Sequence, residues 1–264
     1  MSRLNAPHSP STGHFNATYA PASGSGNYES GAATTIYVLP GGSNTNHGKT
    51  RGKAKATVAG ALTALAGAAG GVEVGAGTIT ETSGWGTIPA GTMIRGQGKT
   101  AAIINRSFNG DLATMSGGTK ISDLTIEGLG NTGRALIFAG TDGSQTLTDV
   151  NIRNFDGYCL DFAVGAGSGF RATNLEVYRA ASGTGTGRYA INISDTQQLA
   201  AVPRSFIGLT SAGQCAINLG GCNDTFVTNS FISDLRFTAD SRGVNIVASR
   251  IANQPVGAHC RRAQ

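Results

Sequence analysis

Asp123 and Asp149 each fill the third place of a six-residue pattern, ISDLTI at 121–126 and LTDVNI at 147–152. On successive coils of a parallel solenoid such residues stack about 5 Å apart, one strand spacing along the axis. That is the separation a retaining glycosidase needs between its acid and its nucleophile. A second acidic pair, Asp156 and Asp161 with Tyr158 between them, follows on the next stretch and would form a groove-facing cluster. Both arrangements also have a plainer reading. The same third place holds Asn174, Arg204 and Asn229 in later copies of the pattern. Asn and Asp tolerate the left-handed backbone of a sharp corner while their side chains bond local backbone. A turn role therefore accounts for Asp123 and Asp149 without chemistry. No residue is assigned a catalytic role, and Asp123, Asp149, Asp156 and Asp161 stand as candidates only.

Other reactive types are thinly spread. His47 falls in a glycine-rich turn and His259 near the end of the chain, neither beside an acid on a repeat. The cysteines at 159, 215, 222 and 260 show no metal-ligand spacing, so neither a metal nor a cofactor is expected. Cys159 aligns with Ala135, Ala190 and Ala216 one place before a recurring apolar triplet, which suits a small buried residue. The net charge is +5, yet only 13% of residues are charged and the cations are scattered, apart from Lys49, Arg51, Lys53, Lys55 and a terminal Arg261-Arg262. A nucleic-acid partner would call for basic residues clustered with aromatics, so none is expected. No stretch is long and apolar enough to insert in a membrane, and the start of the chain has no apolar signal segment, which points to synthesis in a reducing cytoplasm.

The elements that must position these residues are written in a repeat. The pattern recurs as ATNLEV at 172–177, VPRSFI at 202–207 and VTNSFI at 227–232, at intervals of 26, 25, 30 and 25 residues. In step with it run Leu136-Ile137-Phe138, Leu160-Asp161-Phe162, Ile191-Asn192-Ile193 and Ile217-Asn218-Leu219. Alternating apolar residues in short segments separated by Gly, Ser, Asn and Thr are what a coil of a parallel β-solenoid requires. Forty glycines suit close-packed coils with tight turns. The reading is all-β: a right-handed parallel β-helix, the ordinary hand of parallel crossovers, of about seven coils and roughly 34 Å in length. After 227 the register is ambiguous, because ISDLRF at 232–237 repeats the pattern as well as VTNSFI does.

Four regions follow. Residues 1–34 are rich in Ser, Gly, Ala, Asn and Pro and cannot bury a core of their own, so they form an extended arm. Phe15, Tyr19 and Tyr28 are its candidate partner-binding anchors. Residues 35–71 hold a strand, a glycine turn and an Ala-rich helix at about 54–69, four turns long. Its apolar face, Val58, Leu62 and Leu65, can cover the open end of the first coil. The coils occupy 72–252, and 253–264 is a basic tail.

YVLPGGSNTNHGKT at 37–50, GGVEVGAGTIT at 70–80 and IPAGTMIRGQGK at 88–99 together resemble the N-terminal portion of pectate-lyase-like β-helix proteins. The resemblance covers some 60 residues and is specific for the fold. The local motifs of the superfamily's enzymes, Asn-Thr-Asp, paired Asp-Asp, Gly-His-Gly and Arg-Ile-Lys in the polygalacturonase-like set, do not occur. An arm joined to a β-helix without those motifs resembles virion proteins of tailed bacteriophages, either tailspikes and fibres or capsid decoration proteins. That resemblance implies a structural role in the virion, other phage structural proteins as partners, a homotrimer, and contact with a host surface polysaccharide. Two alternatives stay open, a polysaccharide depolymerase of a tailspike and a non-catalytic carbohydrate-binding module.

Overall fold

The structure, a computed structural model, describes residues 34–138, 144–162 and 170–179, together with strands between 189 and 253. The chain winds as a parallel β-helix. β1 (Thr35–Val38) pairs in parallel with β2 (Gly71–Val74), the first strand of the first coil. β3 (Gly77–Glu81) and β4 (Gly86–Ile88) complete that coil. The second coil repeats it as β5 (Met93–Gly96), β6 (Ala102–Arg106) and β7 (Ala113–Met115), each pairing in parallel with its counterpart. In the third coil β8 (Lys120–Glu127) runs through the first corner to meet both β5 and β6, and β9 (Leu136–Phe138) lies under β7. β10 (Thr146–Phe155) and β11 (Leu160–Phe162) repeat this arrangement in the fourth. Three faces thus stack along the axis, where the sequence pattern had indicated two strands per turn: the six-residue pattern straddles a corner and supplies parts of two faces.

That corner falls on the third residue of the pattern. Asp123, Asp149 and Asn174 have φ of 59°, 54° and 53°, the left-handed conformation that short polar side chains accept. On either side the chain turns inward again. Ile94, Ile121, Leu147 and Ala172 stack in one buried column, and Ile79, Ile104, Ile126, Ile152 and Val177 in another. The third face contributes Phe138 and Phe162, whose rings stack 4.2 Å apart, with Phe170 against their edges. Burial of this continuous apolar interior is what favours winding.

About four turns are described with their side chains, fewer than the seven expected for the chain. Strand pairings continue beyond them through β12 (Arg171–Thr173), β13 (Glu176–Arg179), β14 (Tyr189–Ser194), β15 (Val202–Pro203), β16 (Phe206–Leu209), β17 (Cys215–Gly220), β18 (Phe226–Thr228), β19 (Phe231–Phe237), β20 (Asn245–Val247) and β21 (Arg250–Asn253). The ambiguity after 227 resolves in favour of VTNSFI. Val227 pairs with Val202 and Ile246, while Leu235 crosses to the other sheet to meet Ile217.

The capping helix α1 spans Val58–Ala64, two turns where the sequence suggested four. Thr57 caps its start by accepting the Gly60 amide, and left-handed Ala66 and Gly67 end it. Val58, Leu62 and Leu65 are nevertheless all buried in the one continuous core. Glu81, at the end of β3, also meets this helix. Its carboxylate accepts the Val58 amide at 2.6 Å and the Ala59 amide at 3.3 Å, both otherwise unserved at a helix start.

Candidate functional site

The sequence candidates come to different ends. Asp123 and Asp149 do share a rung, since their neighbours pair Ser122 to Thr148 and Leu124 to Val150. Asp123 Oδ2 accepts from Ser122 Oγ at 2.9 Å and from Arg95 Nε at 3.3 Å. Asp149 Oδ1 accepts from Asn174 Nδ2, the next member of the corner ladder. Each carboxylate is therefore bonded within the corner it makes.

Asp156 and Asp161 act on different cations, Arg106 and Arg134. Asp161, on the outer surface of β11, accepts Arg134 Nη1 at 2.7 Å and Asn192 Nδ2 at 2.8 Å. The same guanidinium grips Asp111 in a fork, Nε to Oδ1 at 3.0 Å and Nη2 to Oδ2 at 2.6 Å. A bidentate pair of this kind is the strongest arrangement for the two groups. Its hydrogen bonds hold Asp111 below the usual carboxylate range and raise Arg134 above the ordinary arginine value. Asp111 is thus committed to its ionised form, the opposite of what a general acid requires. Asp156 instead lies where its charge supports Arg106.

Arg106 itself points inward. Its guanidinium donates to the carbonyls of Gly110 and Asn131 and lies over the ring of Phe155 at 4.5 Å. Burial lowers its pKa from the ordinary arginine value. Arg106 ties two turns to the core and offers nothing to solvent. His47 accepts the Lys49 amide through Nδ1 within its turn. Cys159 is buried, as its place beside Ala135 suggested. Among the described residues no group of three or more His, Cys, Asp or Glu converges as metal ligands. Phe15, Tyr19, Tyr28 and His259 lie outside the described residues.

What the sequence did not show is a collection of cations. On the outer surface of the face built from β1, β2, β5, β8, β10 and β12, one column runs Tyr37, Glu73, Arg95, Ser122, Thr148, Thr173. Its neighbour runs Thr35, Gly71, Met93, Lys120, Thr146, Arg171. Arg95, Lys120 and Arg171 are exposed, the last two separated by two strand spacings, about 10 Å. Above β1 sits the turn bearing exposed Lys49, Arg51 and Lys53, and Arg51 reaches down to Glu73 at 3.3 Å and lies over the Tyr37 ring at 5.5 Å. Six cations against Glu73 and the corner acids Asp123 and Asp149 leave an excess of three positive charges among the described residues of this face. Between the cations stand the hydroxyl-bearing Ser122, Thr146, Thr148 and Thr173. Basic residues that are scattered in the chain are therefore gathered by the winding. The only sequence signal was periodic: Lys120 and Arg171 both directly precede the inward residue of a strand.

Fold and surface together define a class, a parallel β-helix protein with a capped N-terminal mouth and one cationic face. No family model matches the chain, and no curated protein matches it in sequence. Among known structures it is similar to pectate lyase Pel9A, at 11% identity and a TM-score of 0.48 over 86% of this chain and 79% of the other. It is also similar to the pectin methylesterase PemA from Erwinia chrysanthemi, at 11% identity and a TM-score of 0.42 over 86% and 94%. A pectin methylesterase in complex with a hexasaccharide aligns at 11% identity and a TM-score of 0.40 over 80% and 81%.

Proposed function

We propose that the protein is a structural, non-hydrolytic component of a tailed-bacteriophage virion. In this reading residues 1–34 hold it to other structural proteins of the particle, it is a homotrimer, and its cationic face adheres to host surface polysaccharide. The observation that carries the adhesive, non-hydrolytic part is the unequal use of charge. Glu73, Glu81, Asp111, Asp123, Glu127, Asp149, Asp161 and Glu176 are all bonded within the protein, in ion pairs, corners or the helix cap. Lys120 and Arg171 meanwhile stand exposed beside hydroxyls. Carboxylates tied to partners inside the protein are not presented to a substrate, whereas exposed cations attract a polyanion over a distance set by the salt concentration.

The experiment uses particles lacking the protein, to which full-length chain, a chain without 1–34, or a Lys120→Ala/Arg171→Ala variant is added. Full-length chain should restore attachment and bind acidic host glycan without releasing reducing ends. The truncation should lose particle attachment and keep glycan binding. The double variant should do the reverse, with glycan affinity down by up to roughly thirtyfold, since each of the two exposed pairs contributes up to about 1 kcal/mol. Attachment by the truncated chain as tight as that of the full-length chain would defeat the assignment of the arm.

A depolymerase is the second reading, favoured by one feature, the shared rung of Asp123 and Asp149. It requires new reducing ends from host glycan, and their loss in both Asp123→Asn and Asp149→Asn.

A further inference from the structure

In a solenoid each coil ordinarily touches only its neighbours. The turn between β5 and β6 breaks this rule. It belongs to the second coil, and its Gln97 and Ala101 accept amides of the first coil, from Ala76 at 3.2 Å and Gly77 at 2.7 Å. Its Gly98 amide donates to Asp123 O at 2.9 Å, and its Lys99 carbonyl accepts Thr125 Oγ1 at 2.6 Å, both in the third coil. The Lys99 side chain then passes the fourth coil altogether. Its Nζ meets Glu176 Oε1 at 2.7 Å and the Asn174 carbonyl at 3.4 Å, in the fifth.

Burial records the same path. Thr125, Asn151 and Glu176 are register partners facing outward along one column. Outward positions on a sheet face are ordinarily exposed, yet Thr125 is 2% and Asn151 9% exposed. The ion pair at the far end is itself sheltered, with Lys99 at 19% and Glu176 at 32% side-chain exposure. A pair held this far from water keeps more of its Coulomb attraction than a surface pair.

We propose that the Lys99 turn is a clasp that locks the second to fifth coils into one opening unit, so that the fifth coil cannot separate from the stack until a contact made on the second is broken. Nearest-neighbour unzipping, the ordinary way a solenoid frays, is thereby arrested at β13. The clasp goes beyond the proposed function and does not depend on it, since it concerns only the body.

Hydrogen exchange followed by mass spectrometry tests it on the full chain. Lys99→Met keeps an unbranched stem of similar length and removes the ammonium that meets Glu176 and the Asn174 carbonyl. Glu176→Gln removes the partner and leaves Lys99 in place. In either variant, amides of 171–179 should exchange at least tenfold faster, while those of 71–96 stay as in the parent. The double variant should be no faster than the singles, because both break one contact. Unchanged exchange at 171–179 would overturn the clasp. So would an equal rise in 71–96 and 171–179, which marks general loss of stability and not a local lock, or additive effects in the double variant.

Discussion

Glu81 offers the sharpest test of the energetics, because its burial and its task oppose each other. The side chain lies in the core with its carboxylate on the first amides of α1. Burial raises its pKa from an ordinary 4.5 to about 7, against the downward pull of those same amides. A carboxyl that holds its proton more tightly when folded stabilises the fold fully below pH 4.5, where both states are protonated. Between pH 4.5 and about 7 the unfolded chain is ionised and the folded one is not, so stability falls by about 1.4 kcal/mol per pH unit. Above that range the loss is constant at roughly 3 kcal/mol. Glu81→Gln preserves shape and one acceptor but cannot ionise. The difference in unfolding free energy, variant minus parent, should therefore be near zero at pH 4.5 and climb to roughly 3 kcal/mol in favour of the variant by pH 8. Urea titrations of both proteins across this range measure it, and every other titrating group cancels in the difference. Parallel profiles from pH 4.5 to 8 would refute the account, as would a variant that loses stability at pH 8.

Two further predictions concern the corners. Asp149→Asn should leave the fold intact, since Asn174 already makes the same left-handed turn, whereas Asp149→Ala should cost about 1–2 kcal/mol through the αL strain of a Cβ-only residue and the lost Asn174 bond; thermal melts that rank the two equally would contradict this. Gly96→Ala should be far more damaging, because an added Cβ would fall 2.1 Å from Asp123 O and 2.7 Å from Leu124 Cβ, and a folded variant with parental melting temperature would show that the corner backbone can yield.

The parts of the fold that repeat were legible, and for a physical reason. Inward residues such as Ile121, Leu147 and Ala172 each meet the same environment one coil later, so burial imposes the same residue class at each return. The corner residue is fixed as strictly, since φ near 55° admits few side chains, which is why Asp123, Asp149 and Asn174 were visible as a set. The helix was over-read because alanines carry helix propensity past the point where Ala66 turns left-handed to meet β2. Outward positions obey no such repetition. Lys120 and Arg171 share a face because each stands one place before the repeating pattern, but nothing in the period dictates that such an outward place be charged, as Thr146 between them shows. Lys99 was less legible still, for its partner Glu176 lies 77 residues on and three coils away. An apolar period reveals what every coil must share. The contacts that make one coil unlike the next, where recognition and control would reside, are set by loops that the period skips.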